Sequence, residues 1–247
     1  MISVDQKLKK LSLIKLLTED KARRLAKKAK LEHVWSSNAL ESNSLTLDQT
    51  ASIINDGITV GKSVRETLEA INLSQAYDYM LMLAESKQEL TESVIKKLNR
   101  LVMFNTAQTH ELAGTYRKGK AWPKGYEDQP YVNPTAIADN MKQLINWSKE
   151  NKERLHPVIY AADLHQKFVS IHPFTDGNGR TARLLMNLAL IQADYPVINI
   201  SPTVRQEYMK ALAVSRENGK TEIFEEFIIE YVLDKLVLCQ KGLMPKF

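Results

Sequence analysis

The chain has 247 residues, 44% of them hydrophobic and 26% charged, and its formal net charge is +5. These proportions match ordinary globular proteins and exclude disordered, collagen-like and membrane-spanning chains. The length fits one large domain or two small ones. Only 9 glycines and 8 prolines occur, and because both residues interrupt helices, their scarcity predicts a mostly helical fold.

Cysteine use and the first residues indicate where the protein works. Cys239 is the single cysteine of the sequence, which excludes an intrachain disulfide and the thiolate cluster of a structural zinc site. Lys15 interrupts the apolar residues near the start, which excludes a continuous signal-peptide core and a membrane span. The modest positive charge favours anionic ligands but has no nucleic-acid motif beside it. We therefore expect a cytoplasmic protein that binds neither membrane nor nucleic acid.

Helix signals recur along the chain. In the first thirty residues, apolar positions at three-residue spacing predict an amphipathic helix with a solvated basic face, carried by Leu8, Leu11, Ile14 and Leu17. Capping boxes after Thr46 and Ser63 predict helices over Leu47–Asp56 and Val64–Ser86. Further helices are predicted over Thr91–Phe104, from Asn133 to about Glu150, over His156–Phe168, and after Gly177, Thr203 and Thr221.

Two segments between these helices have a different composition. Residues 114–132 are rich in glycine, proline and tyrosine, which predicts a loop or hairpin. Residues 57–63 resemble a phosphate-binding P-loop, but three residues separate Gly57 from Gly61 where that motif needs four. We therefore expect these glycines to form caps and turns between helices. No repeat or linker divides the chain, which predicts one helical domain with an N-terminal helical extension.

The segment with the most chemical information runs from His172 to Arg183 and leads into the apolar run Leu184–Ile191. Its glycines allow the backbone to approach a ligand, and the first amides of the following helix have no intrahelical acceptors, so together they form an anion site. His172 would lie near the positive end of that helix, which favours a neutral imidazole able to accept a proton near pH 7.

Charged residues of the same segment suit a polyphosphate. Arg180 and Arg183 are three residues apart, so they share one helical face and both reach toward the same ligand. Asp176 supplies a hard carboxylate oxygen, which suits a magnesium ion between phosphate oxygens. The residues alone therefore predict a site for a magnesium-bound polyphosphate beside a general base.

The string H-x-F-x-D-G-N-G-R-x-x-R from His172 to Arg183 resembles the motif of the Fic-domain family, and the likeness extends over roughly residues 64–235. That family transfers AMP from ATP to a hydroxyl of a target protein and releases pyrophosphate. The resemblance implies an all-α Fic-type domain with a short β-hairpin flap after Tyr116-Arg117. It makes His172 the base, Asp176 the magnesium ligand and Phe174 a core residue, and it assigns the phosphates to Gly177, Asn178, Gly179, Arg180 and Arg183.

An upstream segment, from Ser36 to Thr46, is similar to the inhibitory segment of the same family, with Ser37 and Glu41 at its matching positions. The resemblance implies that Glu41 pairs with Arg183 and blocks productive binding of the ATP γ-phosphate. Carboxylate and phosphate are both bidentate acceptors, so they compete for one guanidinium. Ser42 stands where relatives have Gly or Asn. We accordingly divide the chain into an extension, residues 1–63, and a Fic catalytic domain, residues 64–247.

Other positions fit the family less closely. Tyr208 occupies the place of a tyrosine that lies against the nucleotide, whereas Arg216 stands where an asparagine is expected, and Ala121–Gly125 lacks the alternation of a hairpin. The target protein is therefore not predicted. His33, His165 and Cys239 are interpreted as structural residues.

The resemblance leaves three activities open. The first is protein adenylylation restrained by Glu41, with ATP, a target protein and a second copy of the chain in a homodimer as partners. The second keeps the fold but removes AMP from a modified protein or transfers another phosphate-containing group, as kinase-like or phosphocholine-transferring members do. The third is a non-enzymatic nucleotide-binding module with a regulatory role.

Overall fold

The computed structural model describes residues 18–58, 61–123 and 129–241, together with residues 6, 7 and 9. This part of the chain is all-α, as predicted, and has no β-strand. Its helices are α1 (Glu19–Lys28), α2 (Lys30–Ala39), α3 (Leu47–Ala51), α4 (Val64–Glu85), α5 (Glu92–Val102), α6 (Ile137–Asn151), α7 (Pro157–Ile171), α8 (Asn178–Gln192), α9 (Arg205–Asn218) and α10 (Glu222–Lys241).

Local sequence signals set most helix starts. The capping boxes at Thr46 and Ser63 are both present and open α3 and α4. The helix predicted to reach Asp56 instead ends as α3 at Ala51 and continues as a π-helical turn, Ser52–Asp56, which Gly57 ends in a left-handed conformation, φ 68°. The predicted amphipathic positions Leu8, Leu11, Ile14 and Leu17 lie outside the described residues.

Helix α8 is the centre of the fold. Every residue from Arg180 to Ile191 is buried, because α7 packs along it most extensively and α4 and α5 cover other faces. Helix α10 packs on α7 and α9, and α2 packs on α4. The segment predicted to be catalytic, His172–Arg183, consists of the connection between α7 and α8 and the first residues of α8. The packing of these two helices against each other therefore fixes both of its ends.

The predicted flap follows α5 and faces this connection. Tyr116 forms an isolated antiparallel bridge with Phe174, and the Tyr131 amide donates to the Ala121 carbonyl at 2.9 Å. In residues 114–123 and 129–132 this is a hairpin-like closure without regular strands, consistent with the missing alternation and with Pro123, which has no amide hydrogen. None of the helices in the described part of the chain is long and apolar enough to cross a membrane.

Candidate active site

Two asparagines shape the loop between α7 and α8. The Asn178 side chain accepts from the Phe174 amide at 3.0 Å and donates to the Phe174 carbonyl at 2.8 Å. Asn99 on α5 donates to the Asp176 carbonyl at 3.0 Å and accepts from the Gly114 amide at 3.0 Å. Both side chains are buried, so the loop is held from within and from a neighbouring helix.

Gly177 is required at its position. Its φ is 77°, and a Cβ there would lie 2.8 Å from Met103 Sδ and 2.9 Å from Asn99 Nδ2. Any other residue would therefore combine a left-handed backbone with a steric clash. Gly177 lets the chain enter α8 so that the first amides of the helix face the cleft.

His172 ends α7 with φ 51° and ψ 58°, a left-handed conformation that turns the chain into the loop. Its carbonyl accepts from Arg117 Nε at 2.8 Å, and its ring stacks on Tyr131 with centroids 3.9 Å apart and planes 8° apart. Burial, followed by the nearby charge of Arg117, lowers the pKa of His172 to about 4, against the opposing carboxylates of Glu41 and Asp176. The imidazole is therefore neutral at pH 7, as predicted.

Arg183 lies on α8 with 3% of its side chain exposed. Its Nε donates to Ser37 Oγ at 2.8 Å, and Nη2 donates to the Ser37 carbonyl at 2.9 Å. Its Nη1 donates to the Tyr208 hydroxyl at 3.3 Å, and Tyr208 in turn bonds to His165 Nε2 at 2.9 Å. Ser37 and Tyr208 therefore hold the guanidinium in one orientation.

Glu41 completes this cluster from the inhibitory segment. Its Oε1 accepts from Arg183 Nη2 at 2.7 Å. A Cβ on Gly179, in the first turn of α8, would collide with the same oxygen, so the carboxylate lies against the helix N-terminus, where an anion is favoured. Burial raises the pKa of Glu41, but Arg183, Arg180 and Arg205 outweigh it, and the pKa is lowered overall.

Glu41 nevertheless remains open to water, with 40% of its side chain exposed. The carboxylate thus lies in a cleft, crowded by protein on several sides and accessible on another. This is the geometry of a group that a solvent-borne ligand is able to displace.

The turn around Glu41 is fastened to α4 and α9. Asn43 donates to Glu69 Oε2 at 2.9 Å and to the Glu66 carbonyl at 3.2 Å, and Arg205 donates to the Leu40 carbonyl at 2.8 Å. Ser42 has a left-handed φ of 73°. A serine therefore occupies a conformation that glycine or asparagine adopts more readily, which explains the residue types expected there.

Arg180 and Asp176 occupy the other side of the α8 N-terminus. Arg180 has 2% of its side chain exposed and lies 3.7 Å from Glu69 Oε1 and 3.4 Å from Asp176 Oδ1. Its Nε and Nη1 are buried without hydrogen-bond partners. Asp176 is 48% exposed and also contacts Arg65 at 3.4 Å. Arg180 and Arg183 are thus both buried, but Arg180 lies near Glu69 and Asp176 whereas Arg183 binds Glu41.

A cavity of about 380 Å³ is lined by Tyr131, the residue that stacks on His172. Val169 and Ser170 of α7 line it, together with Tyr131 of the flap and Met209 and Arg216 of α9. Tyr208, which is predicted to lie against a nucleotide, is buried and its hydroxyl accepts from Arg183. Its neighbour Met209 lines the cavity. The Arg216 guanidinium lies 5.2 Å above the Tyr131 ring.

Sequence reasoning did not identify Asn99, Arg117 or Tyr131. Arg117 is buried and joins the His172 carbonyl to two flap carbonyls, those of Gly119 and Val132. Only Asn99 could have been found from the sequence, because it is a polar residue on the apolar face of the amphipathic helix α5. His33 and His165 are buried, as interpreted.

Comparison with known proteins agrees with this geometry. Residues 89–190 match the model of the Fic/DOC family. A protein named protein adenylyltransferase Fic from Drosophila virilis is 35% identical over 232 residues, which are 93% of this chain and 46% of that protein. Its namesake from Drosophila persimilis is 36% identical over 210 residues, 84% of this chain and 40% of that protein. This chain spans less than half the length of these curated relatives.

Solved structures share the fold over nearly the whole chain. Fic-1 from C. elegans superposes with a TM-score of 0.85 at 27% identity, covering 97% of this chain and 72% of that one. A Fic domain containing signaling protein from Bacteroides thetaiotaomicron has a TM-score of 0.82 at 29% identity, covering 96% and 95%. Residues 89–190 therefore belong to the Fic/DOC family.

Proposed function

We propose that this protein is a protein adenylyltransferase, which transfers AMP from ATP to a hydroxyl of a target protein and releases pyrophosphate, and that Glu41 holds it inactive. The observation that carries the proposal is the Glu41 carboxylate bound to Arg183 against the N-terminus of α8. A carboxylate there shows that the cleft is suited to an anion, and His172 lies in the same cleft. The names of the curated relatives support the same activity.

The chain offers a place for each part of ATP. The cavity lined by Met209 and by Tyr131, which stacks on His172, suits the nucleoside. Arg183 and the first amides of α8, at Asn178 and Gly179, suit the phosphates. Arg180, in the first turn of α8, would add a buried positive charge that attracts the phosphates. This arrangement would place the α-phosphate between the phosphate site and His172.

His172 would accept the proton of the target hydroxyl as its oxygen attacks the α-phosphate, and pyrophosphate leaves as the bond to the β-phosphate oxygen breaks. Nδ1 of His172 is buried, which leaves Nε2 for the hydroxyl. Because the pKa of His172 is about 4, its imidazole is unprotonated at neutral pH and able to accept a proton. Stacking on Tyr131 orients the ring, and the bond from Arg117 to the His172 carbonyl holds the backbone that carries it. Such positioning lowers the barrier.

Asp176 fits a magnesium ion. Mg²⁺ in phosphate-transfer sites is usually held by one or two carboxylates and by the substrate's phosphates. Asp176 provides one exposed carboxylate beside the α8 N-terminus, and its contacts with Arg65 and Arg180 are long, 3.4 Å each. No group of three or more His, Cys, Asp or Glu side chains suited to a metal occurs among the described residues. When bound with ATP, the ion would neutralise phosphate charge.

The extension, residues 1–63, would act as the regulatory part and residues 64–247 as the catalytic domain. Bonds from Arg183 to Ser37 and from Asn43 to Glu69 support this division, because they dock the segment that carries Glu41 onto the catalytic helices. A cytoplasmic location and a homodimer remain predictions.

ATP labelled separately at the α- and γ-phosphates tests the function. Incubated with a cell lysate, the Glu41→Gly protein should transfer α-label and no γ-label, and His172→Ala in the same background should transfer neither. Incorporated γ-label would indicate a kinase. Loss of α-label from an already modified protein would indicate de-adenylylation. ATP binding without any transfer would indicate a nucleotide-responsive module.

A further inference from the structure

A second cavity, of about 440 Å³, adjoins the one assigned to the nucleoside, and both are lined by Ser170 and Arg216. Its walls come from α6, α7, the end of α9 and Val132 at the base of the flap. Neither the proposed transfer nor the Glu41 contact uses this space. It nevertheless opens directly beside the residues that lead into His172.

The lining of this second cavity is positive. Among the described residues that line it, Lys167 and Arg216 are charged and none is Asp or Glu. Lys167 Nζ lies 5.0 Å from the centroid of the Trp147 ring, so a cation is held above an aromatic wall. A ligand with a short apolar stem and a carboxylate would match both features.

Two buried polar atoms in the cavity lining lack hydrogen-bond partners. They are Ser215 Oγ and Arg216 Nη2. Buried donors are normally paired, and an unpaired one is unfavourable. Both groups are able to donate to an oxygen atom. Because these two atoms expose almost no surface, a bound carboxylate would reach them after a rotation of the Ser215 or Arg216 side chain.

Two carboxylates lie behind the cavity, Asp163 on α7 and Glu225 on α10, and both are buried. Burial, followed by the charge of Glu225, raises the pKa of Asp163 to about 7, while Lys167 opposes the shift. Near neutral pH the Asp163 carboxyl is therefore protonated in part of the molecules, and its average negative charge is less than one. The cavity accordingly keeps its positive character.

The position of the cavity relative to His172 limits what binds there. Lys167 precedes His172 by five residues on α7, which is about 7.5 Å along a helix axis. An extended peptide spans about 3.3 Å per residue. A side chain anchored near Lys167 would thus lie roughly two to four residues from a hydroxyl at His172.

We propose that this cavity binds an Asp or Glu side chain of the target protein, close in sequence to the modified hydroxyl, with Lys167 and Arg216 as its anchors. The proposal rests on the proposed adenylyltransferase function and assigns it a substrate class, hydroxyl residues with a neighbouring acidic residue. It concerns the target protein, because the nucleotide and its phosphates already have their own sites.

A positional peptide library tests this. Each peptide carries one central Ser, Thr or Tyr, and one flanking position is fixed as Asp, Gln or Lys while the others vary. Peptides are labelled with α-labelled ATP by the wild type and by Glu41→Gly. At one or two positions, Asp should raise labelling roughly tenfold over Lys, the size expected for a charge-assisted hydrogen bond.

Lys167→Glu should invert this preference, and Lys142→Glu is its matched control. Lys142 lies on α6, outside the cavity lining, with 70% of its side chain exposed, so its reversal should leave the preference unchanged. Automodification by Lys167→Glu checks that the variant remains folded and active.

The outcomes separate the two proposals. Peptide labelling without an acidic preference, or a preference that Lys167→Glu leaves unchanged, would overturn the cavity assignment alone. So would automodification of an enzyme that labels no peptide, because recognition would then not depend on residues flanking the hydroxyl. If peptides, enzyme and lysate all remain free of α-label, the adenylyltransferase proposal itself is overturned.

Discussion

Glu41 and Arg183 are 142 residues apart in the sequence, yet Glu41 Oε1 accepts a hydrogen bond from Arg183 Nη2 at 2.7 Å. Arg183 has partners that do not depend on this contact, since Ser37 and Tyr208 hold Nε, Nη1 and Nη2. Removing the carboxylate would therefore leave the guanidinium in place. On the proposed function, the phosphate site would already be formed before ATP binds, and Glu41 would compete with ATP for Arg183.

Replacing Ser42 by Gly should raise stability. At a φ of 73° a serine side chain is unfavourable, whereas glycine adopts this conformation freely, so we expect a gain of about 1 kcal/mol. Urea unfolding followed by circular dichroism measures it. Ser42→Ala retains a Cβ and serves as the control, with little or no gain. Equal stability of the glycine and alanine variants would show that the left-handed turn is not strained.

His172→Ala should abolish transfer and retain ATP binding. A general base contributes roughly 10²- to 10⁴-fold to a rate, and His172 would contact the attacking hydroxyl and not the phosphates. Initial rates of α-label incorporation and calorimetric titration with ATP, both in the Glu41→Gly background, measure the two properties. Unchanged labelling would remove His172 from the mechanism.

Asp176→Ala should lose both turnover and its dependence on magnesium. The exposed Asp176 carboxylate is the proposed ligand, so its removal leaves the ion bound to phosphate oxygens alone. Transfer rates across a magnesium titration test this, and Asp139→Ala on the exposed surface of α6 is the control. A variant that keeps the wild-type rate and magnesium dependence would place the metal elsewhere.

Acid should destabilise the protein below about pH 6.5. Burial is the main cause that lowers the pKa of His33 to about 3, of His172 to about 4 and of His165 well below its usual value. Between pH 6.5 and about 4 these histidines bind protons in the unfolded chain but not in the folded chain, so the free energy of unfolding decreases as the pH falls through this range.

Asp163 acts in the opposite direction. Its pKa is raised to about 7, so its contribution is present at low pH and is lost as the pH rises from about 4 to 7. The buried histidines with lowered pKa values outnumber the one carboxyl with a raised pKa, so the slope of the unfolding free energy against pH should remain positive near pH 5.5. Urea unfolding at several pH values measures it, and His33→Asn should make it shallower. A flat profile would contradict the buried neutral histidines.

Local patterns predicted the parts of the fold that depend on neighbouring residues. The capping boxes at Thr46 and Ser63 formed because the hydroxyl and its partner are three residues apart. The segment from His172 to Arg183 was identified for the same reason, since its loop and helix start are contiguous. The α3 end was less predictable, because the π-helical turn to Asp56 involves packing beyond the capping box.

Contacts across the fold could not be predicted in this way. Asn99 lies 77 residues from Asp176. Its place in an amphipathic helix marks it as unusual, but the sequence does not indicate that its partner is the loop between α7 and α8. Tyr131 stacks on His172 from the flap, where the sequence has no regular pattern. Tyr208 contacts Arg183, and the sequence could not indicate this contact because it depends on how α9 packs.

Inhibition by Glu41 requires that removing its carboxylate releases Arg183 for the phosphates of ATP, and one comparison of four variants tests this. Wild type, Glu41→Gly, Arg183→Ala and the double variant are incubated with the same lysate and α-labelled ATP, and initial rates of incorporation are compared. Glu41→Gly should incorporate label much faster than the wild type, because phosphate alignment contributes several kcal/mol to a barrier. Arg183→Ala should cancel that gain, since residues that share one ion pair are not additive. Equal rates for the wild type and Glu41→Gly would contradict inhibition by Glu41.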